Sequence, residues 1–421
     1  MIIWKLRSGG ADRRFRAGHP WIYSNELASS PTGIEPGAPV ELQDASGKFL
    51  ARGYGNPHSL IAFRAMTRDP SDKDPMSRDS VFRTLLEAAK LRETLGLHTT
   101  SHRLCFGEAD RLPGLVIDLF RMTAGRKIFV IQAHTAGANR LVSDLPELLE
   151  RYVASQAGLE RAWENTGIIL RNDIGVRKLE GIGEEAPRAI KEVKSVDYAN
   201  VQVQASELEF AVNLISGQKT GFFLDQAANI QLAISRLAQV AGSASKPVRI
   251  LDLCCYVGQW GAQFAHALRK RGIQSEVVAV DASSQALDLA KRNIMAAGAD
   301  CETLRYDVLK DLGTLPNAAF DIVISDPPAL IKGRKDIPQG THAYLQLNTQ
   351  VFRLVRQGGG IVSCSCSALL EEESFLKVLT KAAARQQRRI RWVGRGSQSP
   401  DHPMLSEFPE GRYLKCWIGL N

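Results

Sequence analysis

The chain has 421 residues, enough for two or three domains of roughly 100 to 200 residues, each able to bury a core. Its 53 Lys and Arg against 45 Asp and Glu give a formal charge of +8, which suits a polyanionic partner without identifying one. Seven cysteines at no framework spacing argue against a disulfide scaffold; with no basic-then-apolar leader and no apolar stretch of about 18 residues, the expected setting is a reducing cytoplasm, with no membrane span.

From the amino end, Val40 to Leu42 and Leu60 to Arg64 are short strand-like runs among turns such as Pro31-Thr32-Gly33, Pro36-Gly37 and Asn56-Pro57. They predict a small β-rich domain over 1–70. Thr67 to Ser80 is polar, carries Pro70 and Pro75, and marks the first boundary. Over 71–195, helical stretches (Val81 to Thr94, Asn139 to Ala157) alternate with strand-like ones (Gly114 to Leu119, Lys127 to Ala133, Ile168 to Arg171), which predicts an α+β module. Glu180 to Lys191, with its Gly and Pro, reads as a linker. Over 196–421 the order is strand, helix, strand, helix: Val248 to Cys254, Gly261 to Arg271, Glu276 to Val280, Ser284 to Ala297, Phe320 to Ser325, then Gly360 to Cys366. That alternation predicts parallel strands with crossover helices, a doubly wound, Rossmann-like α/β domain.

The candidate chemistry lies in that last segment. Ile250 to Gly261 runs from an apolar strand through a turn holding Tyr256 and Gly258 into a helix. Asp281 closes the next strand about 20 residues later, where an acid accepts ribose hydroxyls of a nucleoside ligand. The turn lacks the G-x-G-x-x-G that a pyrophosphate needs, which favours S-adenosylmethionine, a cofactor without phosphate, over a dinucleotide. Asp307, after Leu304 to Tyr306, reads either as an adenine contact or as a turn-capping acid. Asp326-Pro327-Pro328 follows an apolar strand, at the edge where open α/β sheets bind ligands, and its two prolines stiffen the loop that carries the acid.

Cys364 and Cys366 end the next strand-like stretch, on one face if the strand persists. Buried cysteine is ordinarily a small hydrophobe, but a thiolate beside Asp326 suits another purpose. Carbon 5 of a pyrimidine becomes nucleophilic once a thiolate adds to carbon 6, and an acid at ring nitrogen 3 of a cytosine stabilises the adduct. Cys254-Cys255 reads as packing, and without C-x-x-C or H-E-x-x-H no metal is expected; no G-x-S-x-G or P-loop occurs.

With these residues in view, the chain resembles the bacterial ribosomal RNA large-subunit methyltransferase I family nearly end to end. The resemblance is carried by His19-Pro20-Trp21, Leu50-Ala51-Arg52-Gly53, Gly107-Glu108, Leu112-Pro113-Gly114 and Val176-Arg177-Lys178. It continues through Lys219-Thr220-Gly221, Leu224-Asp225-Gln226, Asp326-Pro327-Pro328, Tyr344 with Asn348, Ser365-Cys366-Ser367, Asp401-His402-Pro403 and Pro409-Glu410-Gly411. It implies an amino-terminal PUA domain, an RNA-binding β-barrel, ahead of the middle domain and the methyltransferase domain. It implies S-adenosylmethionine as cofactor, with Thr220, Gly221, Phe222, Asp225 and Gln226 lining its pocket and Asp281, Asp307 and Asp326 around the donor. Cys366 is then the nucleophile and Cys364 core packing. Ala227 and Gln259 depart from the family pattern, in which an arginine and a glycine are usual.

The implied partner is large-subunit (23S) ribosomal RNA and the implied product 5-methylcytosine; a homodimer is left open. Arg13, Arg14, Arg16 and Trp21 are candidates for an RNA-facing surface, with Trp21 reading equally as core. Arg385, Arg388, Arg389, Arg391 and Arg395 form a second basic stretch, a pattern usual on a solvated helix face. The alternatives are methylation at carbon 5 of uridine or at an exocyclic nitrogen, and an inactive RNA-binding or ribosome-assembly protein. A nicotinamide-dependent oxidoreductase is disfavoured by the missing glycines.

Overall fold

The computed structural model describes residues 1–10, 12–156, 162–240, 246–310 and 312–421. Short apolar runs at the amino end become β1 (Ile2–Lys5), β2 (Trp21–Tyr23), β3 (Ala38–Gln43), β4 (Phe49–Gly55) and β5 (Ile61–Thr67), with a single helical turn α1 (Arg13–Arg16) between the first two. They form one sheet in the order β1-β3-β4-β5-β2 around Trp4, Phe15, Val40, Leu42 and Phe63. Strict in–out alternation along β3 is the period of a strand with one face buried.

The next elements are α2 (Arg78–Thr94), β6 (His102–Phe106), β7 (Leu115–Arg121), β8 (Lys127–Ala133), α3 (Ala136–Leu141), α4 (Leu145–Ser155), β9 (Thr166–Leu170), α5 (Val176–Leu179) and β10 (Arg188–Lys191). The stretch from Asn139 onward is two helices, because Pro146 opens α4 at a position where proline is tolerated; Ala157 lies outside the described residues. The second sheet runs β10-β9-β8-β7-β6. Its core includes Tyr54 and Met66 from the first sheet, with the Tyr54 hydroxyl donating to Pro113 O at 2.8 Å, so the two amino-terminal segments share apolar packing.

The expected linker Glu180 to Lys191 is corrected: β10 pairs antiparallel with β9, and Glu180 is buried, accepting from Arg64 at 3.0 Å and from Asn56 at 2.9 Å. Its local composition is that of a turn, and only the nonlocal partners make it structured.

After β11 (Val201–Ala205) and β12 (Leu208–Val212) come α6 (Ala227–Leu237), β13 (Val248–Leu253), α7 (Gln259–Arg269), β14 (Ser275–Asp281), α8 (Ser284–Ala297), β15 (Asp300–Arg305), β16 (Phe320–Ser325), α9 (Ile337–Leu354), β17 (Val355–Ser365), α10 (Glu372–Arg385), β18 (Arg391–Gly396) and β19 (Lys415–Leu420). The large sheet has the order β15-β14-β13-β16-β17-β19-β18. β13 through β17 run parallel and β19 is antiparallel to both its neighbours. Strand order reverses between β13 and β16, so the ligand crevice of such a sheet opens at their carboxyl ends.

Two compact units result: Met1–Ser206 with Asn213–Leu224 and Pro400–Gly411, and Glu207–Val212 with Asp225–Ser399 and Arg412–Asn421. Contiguous segments of 1–70, 71–195 and 196–421 do not anticipate the two excursions into the first unit, which are held by polar contacts. Arg171 donates to Leu214 O and Gly217 O at 3.0 and 2.8 Å; the fully buried Arg92 clamps Asp110 through both nitrogens and donates to Asp401 O at 2.7 Å. Among the described residues no helix is long and apolar enough to cross a membrane.

Candidate active site

β13 carries the apolar run Ile250 to Leu253, buried on both faces as a central parallel strand must be, and the chain then turns sharply. Cys254 and Tyr256 adopt φ of +60° and +48°, and Gly258 one of +74°. A side chain at Gly258 would also meet the Ala290 backbone at 3.0 Å, so the entry to α7 needs glycine there. Left-handed backbone at two non-glycine residues is a local cost held in place by the surrounding sheet, a condition that clusters at ligand sites.

The turn places Tyr256 N 3.0 Å from Asp281 Oδ2, while Ser283 N donates to Asp281 Oδ1 at 2.9 Å. Asp281 is thereby oriented at the end of β14 and half-exposed, with lone pairs left over for other donors. Asp307, by contrast, is exposed and accepts from Leu309 N at 3.1 Å, the local turn-capping geometry.

Asp326 follows β16 and is half-buried. Its Oδ1 accepts from Gln226 Nε2 at 2.9 Å and its Oδ2 from Trp260 Nε1 at 3.0 Å. Gln226 is itself fixed by Asn229 Nδ2, 2.7 Å from its Oε1, and the neighbouring Asp225 Oδ2 accepts from Tyr413 OH at 2.7 Å. The next loop belongs to β17, which ends at Ser365, so Cys366 lies just past the strand and the same-face expectation for the two thiols does not apply. Cys364 is 1% exposed and faces Cys416 across the β17–β19 pair; burial pushes its thiol well up, which keeps it protonated and inert. Cys366 is half-buried, and its Sγ donates to Pro327 O at 3.7 Å, beside the Asp326 loop.

Three groups around Cys366 escaped the motif reading. Ser367 Oγ is held by Tyr344 OH at 2.9 Å and Ile331 N at 3.1 Å. Lys415 Nζ donates to Ser367 O at 2.6 Å and Tyr413 O at 2.9 Å; burial pulls its ammonium down to about 8, while the negative charges of Cys366 and Glu372 act against that shift. Trp260 was legible only as an aromatic in the first turn of a helix opening onto the crevice.

Asp252 was also missed. It is fully buried on β13, Oδ2 accepts from Gly261 N at 2.9 Å, and Oδ1 has no hydrogen-bond partner among the described residues. Burial first, then the charges of Asp326 and Asp281, push it up to about 7, against the Gly261 amide. The native carboxyl keeps its proton up to about pH 7, whereas the unfolded one loses it near 3.8, so the native state is penalised as pH rises from about 4 to 7. At 1.36 kcal/mol per pKa unit the accumulated penalty is about 4 kcal/mol. Urea unfolding from pH 4 to 8 should show Asp252→Asn gaining on the parent by about 1 kcal/mol per pH unit across this window; parallel stability curves would refute the assignment.

The remaining candidates fall in the first unit. Thr220 is buried and its hydroxyl donates to Asp118 at 2.6 Å; Gly221 and Phe222 follow it in the same unit, so these three are not in the unit that holds Asp225, Gln226, Tyr256, Gly258, Asp281, Asp307 and Asp326. Arg14 is spent on Glu26 and on Trp21 O, and Arg16 on Asp12 and Asp44, while Arg13 is exposed. Trp21 is half-buried: its ring sits 4.7 Å from that of Phe408 and under Arg64, and its Nε1 donates to Glu108 at 2.7 Å.

Two family models match: a PUA-like domain over residues 5–68 and a methyltransferase domain over 250–359. Ribosomal RNA large subunit methyltransferase I of Photobacterium profundum is 31% identical over 97% of this chain and 98% of its own. The chain belongs to the ribosomal RNA large subunit methyltransferase I family. An Escherichia coli member of that family is 31% identical over 99% of this chain and 98% of its own. A Streptococcus mutans structure described as a SAM-dependent methyltransferase superposes with a TM-score of 0.74 at 16% identity, and a methyltransferase structure complexed with SAH with 0.75 at 16%, each covering 100% of both chains. At that identity the likeness carries the fold that this family member shares with them.

Proposed function

We propose that the protein is an S-adenosylmethionine-dependent methyltransferase of large-subunit ribosomal RNA that forms 5-methylcytosine through a covalent adduct of Cys366. The observation that carries the chemistry is the pairing of an accessible thiol with a fixed acid: Cys366 Sγ on the Pro327 carbonyl, and Asp326 held by Gln226 and Trp260 in the preceding loop. Near-full-length identity to ribosomal RNA methyltransferases supports the substrate class.

The residues fit the cofactor. The Gly258 turn has no room for a side chain, and Asp281 stands oriented at the strand end where a ribose is bound in such sheets. Bound S-adenosylmethionine supplies an electrophilic methyl group. The Cys366 thiolate adds to carbon 6 of the cytosine, and Asp326 hydrogen-bonds ring nitrogen 3, so charge is relieved as carbon 5 becomes nucleophilic. The Lys415 ammonium, buried on the Ser367 carbonyl, favours the anionic form of the neighbouring thiol.

Incubating the protein with S-adenosylmethionine and unmodified large-subunit RNA, followed by nucleoside mass analysis, is expected to yield 5-methylcytidine. 5-Methyluridine or a base-nitrogen methyl would move the reaction to another atom; no methylated nucleoside, with no cofactor binding by calorimetry, would leave an RNA-binding protein.

A further inference from the structure

The paired arginines near Trp21 prompt the question of where this chain keeps uncommitted positive charge. Residues 374–400 contain Lys377, Lys381, Arg385, Arg388, Arg389, Arg391 and Arg395 and no Asp or Glu, so this one stretch has a charge of +7 in a chain whose net charge is +8. Lys377, Lys381 and Arg385 are four residues apart on α10 and exposed, while Phe375, Val378, Leu379, Ala382 and Ala383 form the buried face of that helix. Their spacing stacks three cations about 6 Å apart along the solvent side. Arg388 and Arg389 follow in the tight turn after the helix, and Arg391 is exposed on β18, the edge strand of the large sheet.

Of the seven, Arg395 pairs with Glu372; the other six have no carboxylate partner among the described residues. Like charges one helical turn apart destabilise a helix, and nothing within the fold repays them. Arg385 alone has a local reason, since it favours the negative end of the α10 dipole, and Arg391 and Arg395 guard an open strand edge. Neither reason covers Lys377, Lys381, Arg388 and Arg389.

Topology adds the location. β17 ends beside Cys366 at the carboxyl edge of the sheet, α10 runs back over about 21 Å at 1.5 Å per residue, and β18 begins at the opposite edge. The densest charge therefore lies away from the candidate catalytic groups of its own unit. We propose that the exposed cationic ridge of α10, the turn after it and β18 binds the sugar–phosphate backbone of RNA outside the target nucleotide. The assignment rests on the reading of RNA as substrate. Backbone binding of this kind is sequence-independent and driven by counterion release, so it acts on affinity and salt dependence and leaves the chemical step alone.

The test is the quadruple variant Lys377→Gln/Lys381→Gln/Arg389→Gln/Arg391→Gln in the full chain, assayed on large-subunit RNA and on a short oligonucleotide bearing the same cytosine. For the long RNA, KM should rise about 10-fold and the slope of log affinity against log salt should fall by about 3, one unit per lost phosphate contact. Kinetic turnover, cofactor affinity, melting temperature and KM for the short oligonucleotide should stay unchanged. Unaltered binding of the long RNA overturns the ridge alone, and so does an equal loss on both substrates. Binding to anionic lipid vesicles that disappears in the variant while RNA binding persists reassigns the ridge to a membrane surface. If the parent protein binds no RNA at all, the substrate reading fails and the ridge proposal falls with it.

Discussion

Replacing Cys366 with alanine is expected to lower methyl transfer by at least about 10³-fold with cofactor binding retained, because the variant loses the group that makes carbon 5 reactive and keeps the Gly258 turn and Asp281. The parallel variant Cys364→Ala separates nucleophile from neighbour. Cys364 is buried against Cys416 in the strand pair, so its truncation leaves a small void, lowers stability by about 1 kcal/mol and spares turnover. A substrate RNA containing 5-fluorocytidine supplies a second readout, since fluorine cannot leave as a proton does. Parent protein should form an adduct that survives denaturing electrophoresis, Cys364→Ala should form it too, and Cys366→Ala should not. Full activity of Cys366→Ala would remove covalent catalysis and leave a reaction at a base nitrogen, which needs no thiol.

The contrast between the two cysteines also marks what can be read in a linear chain. α8 was legible to the residue because its signals are local: Ser283 accepts from Ala286 N at the start, and Gly298 closes the helix at φ +98°. β8 and β16 were equally plain as bounded apolar runs. The linker containing β10 was not, since its strand state comes from β9, outside its own sequence. The same limit applied at the site. Asp326 stood out through two adjacent prolines, but its donors Gln226 and Trp260 lie 100 and 66 residues away in sequence and are brought in by α6 and α7. Asp252 looked like one polar letter in a strand; its raised acidity depends on both sheet faces being covered and on two further carboxylates at the same edge. Charge told a similar story: the arginines near Trp21 and those after α10 are alike as letters, and only ion pairing distinguishes them.

Asp326→Asn is expected to reduce turnover by about 10² to 10⁴-fold, the range for a positioned acid or base, with a melting temperature close to that of the parent. The amide keeps one carbonyl oxygen, so it can still accept from Gln226 or from Trp260, but it offers neither of them a second carboxylate oxygen and cannot shuttle a proton at ring nitrogen 3. Two roles are mixed in that loss, chemistry and loop positioning, and Trp260→Phe separates them. It deletes one donor and leaves the carboxylate, removing a hydrogen bond to a charged group of about 1.5 to 3 kcal/mol, so it should cost about 10-fold or somewhat more. A turnover deficit at least tenfold larger in Asp326→Asn than in Trp260→Phe assigns the difference to the acid itself. Equal deficits would reduce Asp326 to a brace between α6 and α7, and the proton at ring nitrogen 3 would have to be handled by another group near Cys366.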